Sequence, residues 1–102
     1  MTLSILDTSH LTSFSSEGPL PTPLLNTDQV RALLLNLEAG QSVSPCQMTS
    51  TVLYYVIEGQ GNLRVKEERG SLQTGSLAVV PPGATRSISA ETRMRVLAIQ
   101  AQ

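Results

Sequence analysis

Cys46 and Met48 stand two residues apart in GQSVSPCQMTSTVLYYVIEGQG, the stretch from Gly40 to Gly61. On an extended strand, residues i and i+2 share a face, so the thiol and the thioether point the same way. Soft sulfur donors of this kind suit Cu(I), and a thiolate can serve as a nucleophile or redox group. Two donors make an incomplete metal site, and the chain offers little to complete it. His10 is the sole histidine; it reads as a solvated or capping side chain, so neither an imidazole ligand nor a histidine base is at hand. The plainer alternative makes Cys46 a small, buried, inert residue and Met48 part of an apolar lining. Tyr54 and Tyr55 point to opposite faces of one strand. Tyr54 is the one expected to face a pocket and offer its hydroxyl to a ligand, although either ring could equally be core.

The elements that must position these groups read as strands. VLYYVI, NLRVK, SLAVV, RSIS and MRVLAI are short apolar or β-branched runs, and Gly or Pro punctuates most of the gaps. That pattern belongs to an all-β sandwich or barrel. VRALLLNL has helical propensity, but a lone helix of eight residues has no place among so many short strands, so it is expected to be a strand. KEERG, from Lys66 to Gly70, reads as a charged hairpin tip with Gly70 taking a positive φ. PPG at Pro81–Gly83 must end a strand, because two adjacent prolines cannot serve a central ladder. Before Asn26 the chain is rich in Ser, Thr and Pro, with Pro19, Pro21 and Pro23 alternating. This predicts an extended arm or edge strand over residues 1–25, folded along its own barrel or reaching a neighbouring subunit, and a barrel over 26–102.

Composition narrows the functional classes. A chain of 102 residues is one domain. Its net charge of -1, from seven basic and eight acidic residues spread along the chain, leaves no basic patch for nucleic acid or an anionic membrane. One cysteine excludes an internal disulfide. The N-terminus lacks the basic and apolar regions of a signal peptide, and no apolar run is long enough to cross a membrane. A cytoplasmic location is the expectation.

Two frames now carry a resemblance. Gly40, five residues, Cys46, Gln47, Met48, three residues, Val52, six residues and Gly59 follow the spacing G-x5-H-x-H-x3-E-x6-G. Gly75, five residues, Pro81, Pro82, Gly83, two residues, Arg86, three residues and Ala90 follow G-x5-P-x-G-x2-H-x3-N. Both are in register and in the right order, and the sequence resembles the cupins, which are small jelly-roll β-barrels, or double-stranded β-helices. The resemblance implies an all-β fold of that kind and a homodimer. The apolar strands RALLLNL and MRVLAI, which read as buried on both faces, point to a dimer as well.

The departure from the family pattern bears on function. Three histidines and a glutamate hold a metal in the family, whereas here Cys46, Met48, Val52 and Arg86 stand at those positions. Val52 and Arg86 are not metal ligands, so no metal and no other cofactor is expected. By parity Arg86 joins Ile88 and Ala90 on the face that lines the barrel in cupins. A guanidinium there must pair, with Glu38 and Glu58 as the candidate carboxylates, or reach solvent at the mouth, or meet a bound anion. The expected ligand-binding residues are Arg86, Tyr54, Cys46, Met48 and Val52, and the expected ligand is a small organic acid. The resulting reading is a non-catalytic binding or sensing barrel. Two alternatives stand beside it: an enzyme using soft-metal or metal-free chemistry through Tyr54, Cys46 or His10, and a structural or regulatory partner with no ligand.

Overall fold

The computed structural model describes residues 3–101; Met1, Thr2 and Gln102, the outer ends of the expected segments, lie outside it. The described residues form nine strands: β1 Leu20–Asn26, β2 Val30–Leu37, β3 Cys46–Gln47, β4 Val52–Glu58, β5 Gln60–Val65, β6 Glu68–Gln73, β7 Leu77–Val80, β8 Thr85–Ala90 and β9 Met94–Ala101. They make two antiparallel sheets, one in the order β1-β2-β9-β4-β7 and the other β3-β8-β5-β6. The fold is the expected all-β jelly-roll barrel. VRALLLNL is strand β2 despite its helical propensity, because pairing with β1 and β9 along its length outweighs an intrinsic preference of tenths of a kcal/mol per residue.

Alternation along the strands sorts the side chains. Val52, Tyr54 and Val56 of β4 face Leu63 of β5 and Ile88 and Ala90 of β8 across the barrel, and all are buried. β2 is covered on both faces: Leu37 joins the interior, while Leu34 and Asn36 on the other face are buried too. The N-terminal segment supplies that second cover. Asn36 Nδ2 donates to the carbonyls of Leu11 and Ser13, at 2.9 Å each, Gln41 Nε2 donates to Ser15 O at 2.6 Å, and Arg95 donates to Thr8 O. Arg93 stacks over the Phe14 ring at 4.3 Å. The segment therefore lies along its own barrel. The division at 25/26 falls inside β1, a proline-containing edge strand, where missing amide donors do least harm.

The β5–β6 hairpin differs from expectation. Its turn is Lys66–Glu67, and Lys66 rather than Gly70 carries the positive φ, +56°. Gly70 lies inside β6, opposite Leu63. The two-residue connection fixes the register with Val65 opposite Glu68, so the positive φ falls on the first turn position whatever residue stands there.

The frame glycines Gly40, Gly59, Gly75 and Gly83 all have positive φ. Gly59 is the most constrained. At φ +100°, a Cβ there would overlap the Arg93 carbonyl oxygen and come within 2.8 Å of Met94 Cα. Gly59→Ala is expected to lower unfolding stability by about 2–3 kcal/mol. Gly70→Ala, with an ordinary φ and open space around it, should gain up to about 1 kcal/mol. Urea denaturation of the two variants checks this, and equal effects would overturn the assignment.

Candidate functional site

A mostly apolar cleft of about 490 Å³ opens between the two sheets. Val52 and Tyr54 come to it from β4, Leu33 and Leu35 from β2, and Ala98 from β9. Val43, Cys46 and Met48 close it from the other sheet and the chain leading into it. Cys46, Met48, Val52 and Tyr54 therefore line one cleft, from its two sides. Tyr54 is 8% exposed, whereas Tyr55 on the opposite face is 43% exposed.

Hydrogen bonds between the two sequence frames hold the side that carries Cys46 and Met48. Gly83 N–H donates to Met48 O at 2.7 Å, and Gln47 Nε2 donates to Gly83 O at 2.5 Å. The PPG turn thus clamps the two-residue strand β3, which places Cys46 opposite Arg86 and Gln47 opposite Thr85. Cys46 is exposed, contrary to the expectation of a buried thiol. Its strand is too short, and too close to Pro45 and the following turn, for anything to cover it.

Arg86 is buried, 2% exposed, on the interior face of β8 with Ile88 and Ala90. Its guanidinium lies behind the cleft wall rather than on it: its cross-strand neighbour Cys46 and its hydroxyl neighbour Tyr54 both line the cleft, and Arg86 does not. Nε donates to Ala84 O at 3.0 Å. Nη1 and Nη2 are sealed from solvent and make no hydrogen bond of full geometry; the Tyr54 hydroxyl is the polar group that approaches the guanidinium. Two of the internal partners open to it in the sequence reading are engaged elsewhere. Glu38 receives two hydrogen bonds from Arg93, at 2.7 and 3.1 Å, which hold its carboxyl below the usual carboxylate range. Glu58 is exposed at the end of β4 and acts electrostatically on Arg93. Nor does Arg86 extend to the mouth. Burial raises the Tyr54 hydroxyl above its ordinary pKa; a side-chain hydrogen-bond contact with Arg86, and then the charge of that cation, oppose the rise, and Cys46 adds to it.

Several further residues reach the site that sequence reading did not single out. Leu33 and Leu35 line the cleft, and Arg31, paired across strands with Gln100, brings an exposed cation to it. Their signal was the parity of Arg31, Leu33 and Leu35 along β2. His10 does not line the cleft; it is exposed in a 3-10 turn, 3.6 Å from an Asp7 carboxylate oxygen. On the outer face of the four-stranded sheet lies a larger depression of about 670 Å³, among Asn62, Arg64, Lys66, Arg69, Arg86 and Ser87. Arg86 borders it from its strand, while alternation along β8 places Ser87 on this face and the Arg86 side chain on the interior one with Ile88 and Ala90.

The residues present do not fit the metal of the family frame. Val52 has no donor atom, Arg86 puts a permanent positive charge where a ligand would stand, and Cys46 and Met48 supply two donors only. Among the described residues, no three of His, Cys, Asp and Glu come together.

No protein-family model matches the sequence, and no functionally curated protein is detectably similar to it. Solved structures are similar. The protein TT1209 of Thermus thermophilus superimposes with a TM-score of 0.91 at 26% identity, over 97% of each chain. An RmlC-like cupin of Desulfovibrio desulfuricans gives 0.91 at 16% identity, covering 98% of this chain and 97% of that one. A cupin superfamily protein of Desulfitobacterium hafniense gives 0.87 at 21%, covering 99% and 93%. With both sequence frames folded into the two facing sheets that these cupins share, the chain is a small single-domain protein with the cupin fold.

Proposed function

We propose that the barrel is a binding or sensing module for a small organic acid with an apolar body. One observation carries this reading: the two terminal nitrogens of Arg86 are buried and make no hydrogen bond of full geometry, with the hydroxyl of Tyr54, a residue of the apolar cleft, beside the guanidinium. An unpaired buried cation costs several kcal/mol, and a folded protein retains one where something else repays that cost. The acid's apolar part packs on Leu33, Leu35, Met48 and Val52. Its carboxylate accepts from the Tyr54 hydroxyl and, once that ring shifts, from Arg86, with Arg31 as an entry cation that favours anions. The reading is non-catalytic: His10, a base candidate of the enzyme alternative, lies away from the cleft. It involves neither nucleic acid nor a membrane; no helix of the described residues is long and apolar enough to cross one. The proposed compartment is the cytoplasm, consistent with a single free thiol at Cys46.

The same reading includes a homodimer. Outside the barrel, Tyr55, Leu77 and Val79, at 43, 62 and 63% exposed, form an apolar patch on β4 and β7. A second copy of the chain is the proposed cover.

Arg86→Met is expected to raise the stability of the ligand-free protein by about 1–4 kcal/mol, because it replaces an unpaired buried charge with an apolar side chain of similar length. The same change should abolish the thermal shift produced by small carboxylates. In the wild type, an acid at a hundred times its dissociation constant adds about 2.7 kcal/mol. If Arg86→Met destabilises the free protein, or no carboxylate shifts the wild type, the binding reading is withdrawn. For the dimer, sedimentation at micromolar concentration should show two chains in the wild type and one in a Tyr55→Arg, Leu77→Arg double variant. A monomeric wild type removes that part.

A further inference from the structure

Cys46 is the feature that acid binding alone leaves unused. It is the single cysteine of the chain, it is exposed, and its side chain lines the cleft. A thiol in that position is by itself ordinary on a protein surface. What distinguishes it is its neighbours. Cys46 pairs directly with Arg86 across β3 and β8, so the two side chains leave the same face of the sheet from backbones about 5 Å apart. Tyr54, from the opposite sheet, interacts with both, and its hydroxyl approaches the guanidinium. Arg86, whose Nη1 and Nη2 atoms make no hydrogen bond of full geometry, thus neighbours two residues of the cleft, Cys46 and Tyr54.

We propose that the cleft takes α,β-unsaturated monocarboxylic acids and captures them covalently on Cys46. This rests on the acid-binding reading and specifies its ligand class. The carboxylate is drawn to Arg86 and Tyr54, and a chain of two or three carbons from that anchor brings the β-carbon to the neighbouring thiol. Arg86 has a second effect. A free 2-enoate is a poor acceptor for a thiolate, because its own negative charge opposes the incoming one and the electron density that addition pushes toward the carboxylate. Pairing with a buried guanidinium offsets both. In the addition, the Cys46 sulfur forms a bond to the β-carbon, and the π electron pair of the double bond moves toward the carbon that bears the carboxylate. The proton given up by the thiol is returned, through water, to that α-carbon. The net change is S–H added across C=C, with no external oxidant or reductant, and it reverses by elimination.

The test compares acrylate with acrylamide, which have the same reactive double bond and differ in charge, using intact mass to follow the single cysteine. Glutathione, a free thiol, reacts faster with acrylamide. The wild-type protein should reverse that order, with acrylate adding about tenfold faster and saturably. Arg86→Met should restore the glutathione order, and Arg86→Lys, which keeps the charge but not the fork, should fall between. Arg31→Gln should slow acrylate without changing the order. The glutathione order in the wild type overturns the proposal, and so does an acrylate preference that survives in both Arg86 variants. A thermal shift of Cys46→Ala by propionate separates the two layers. If propionate shifts that variant while the wild type shows no acrylate preference, acid binding stands and covalent capture falls; if neither effect is seen, both fall.

Discussion

A permanent positive charge inside an apolar barrel is the constraint around which this structure is arranged. Arg86 is buried on the face of β8 that carries Ile88 and Ala90, and of its three guanidinium nitrogens only Nε makes a hydrogen bond of full geometry, to the Ala84 carbonyl two residues back in the chain. That bond is local. It fixes the root of the side chain to the PPG turn and leaves the terminal nitrogens turned away from it. Such a side chain would swing to solvent if its strand could bend. β8 cannot, because it is paired on one side with β5 over Gly61–Val65 and on the other with β3, which the PPG turn clamps. The rigidity of the sheet keeps the charge buried.

The remaining charges show by contrast what the chain does when a cation has a purely structural task. Arg93 forms a two-pronged pair with Glu38 at the surface and stacks on Phe14. Arg95, buried beneath the N-terminal segment, donates to Thr8 O and shares that cover with Asn36, which holds the carbonyls of Leu11 and Ser13. Both fasten the first residues to the outer face of the five-stranded sheet. Arg86 has no such strap to hold, and its position between a thiol and a hydroxyl is what separates it from the other two.

Much of this architecture could be read from the residues. Short β-branched runs and two spaced frames identified the barrel, because Gly40, Gly59, Gly75 and Gly83 mark places where the chain takes a positive φ, and those positions fixed the strands between them. Parity alone put Tyr54 inward and Tyr55 outward, and put Arg86 beside Ile88 and Ala90. What parity cannot supply is depth. It gives the face of a residue and not the layer, so Arg86 behind the wall and Arg31 on it look alike in sequence. The exposure of Cys46 escaped for a related reason: a frame that spaces residues says nothing of how short the strand at that point will be. The turn at Lys66 shows local propensity yielding to register, since the pairing of β5 with β6 decides which residue must adopt the positive φ, and glycine stands four residues away.

The replacement of the family ligands then has a coherent physical sense. In the metal-binding version of this frame, the histidine of the second motif helps to hold a cation near the middle of the barrel. Here Arg86 stands at that place in the sequence and carries the positive charge itself. In the proposed reading that charge still favours an anion, but its nature is different. A metal accepts lone pairs and can activate a bound water or oxygen; a guanidinium can only donate hydrogen bonds and attract charge. Val52 at the frame position of the carboxylate, and Cys46 and Met48 at those of two imidazoles, leave the cleft mostly apolar. Under the proposed reading, such a site recognises an acid by its charge and its hydrocarbon body together, and the thiol of Cys46 is the nucleophile it presents to the bound molecule.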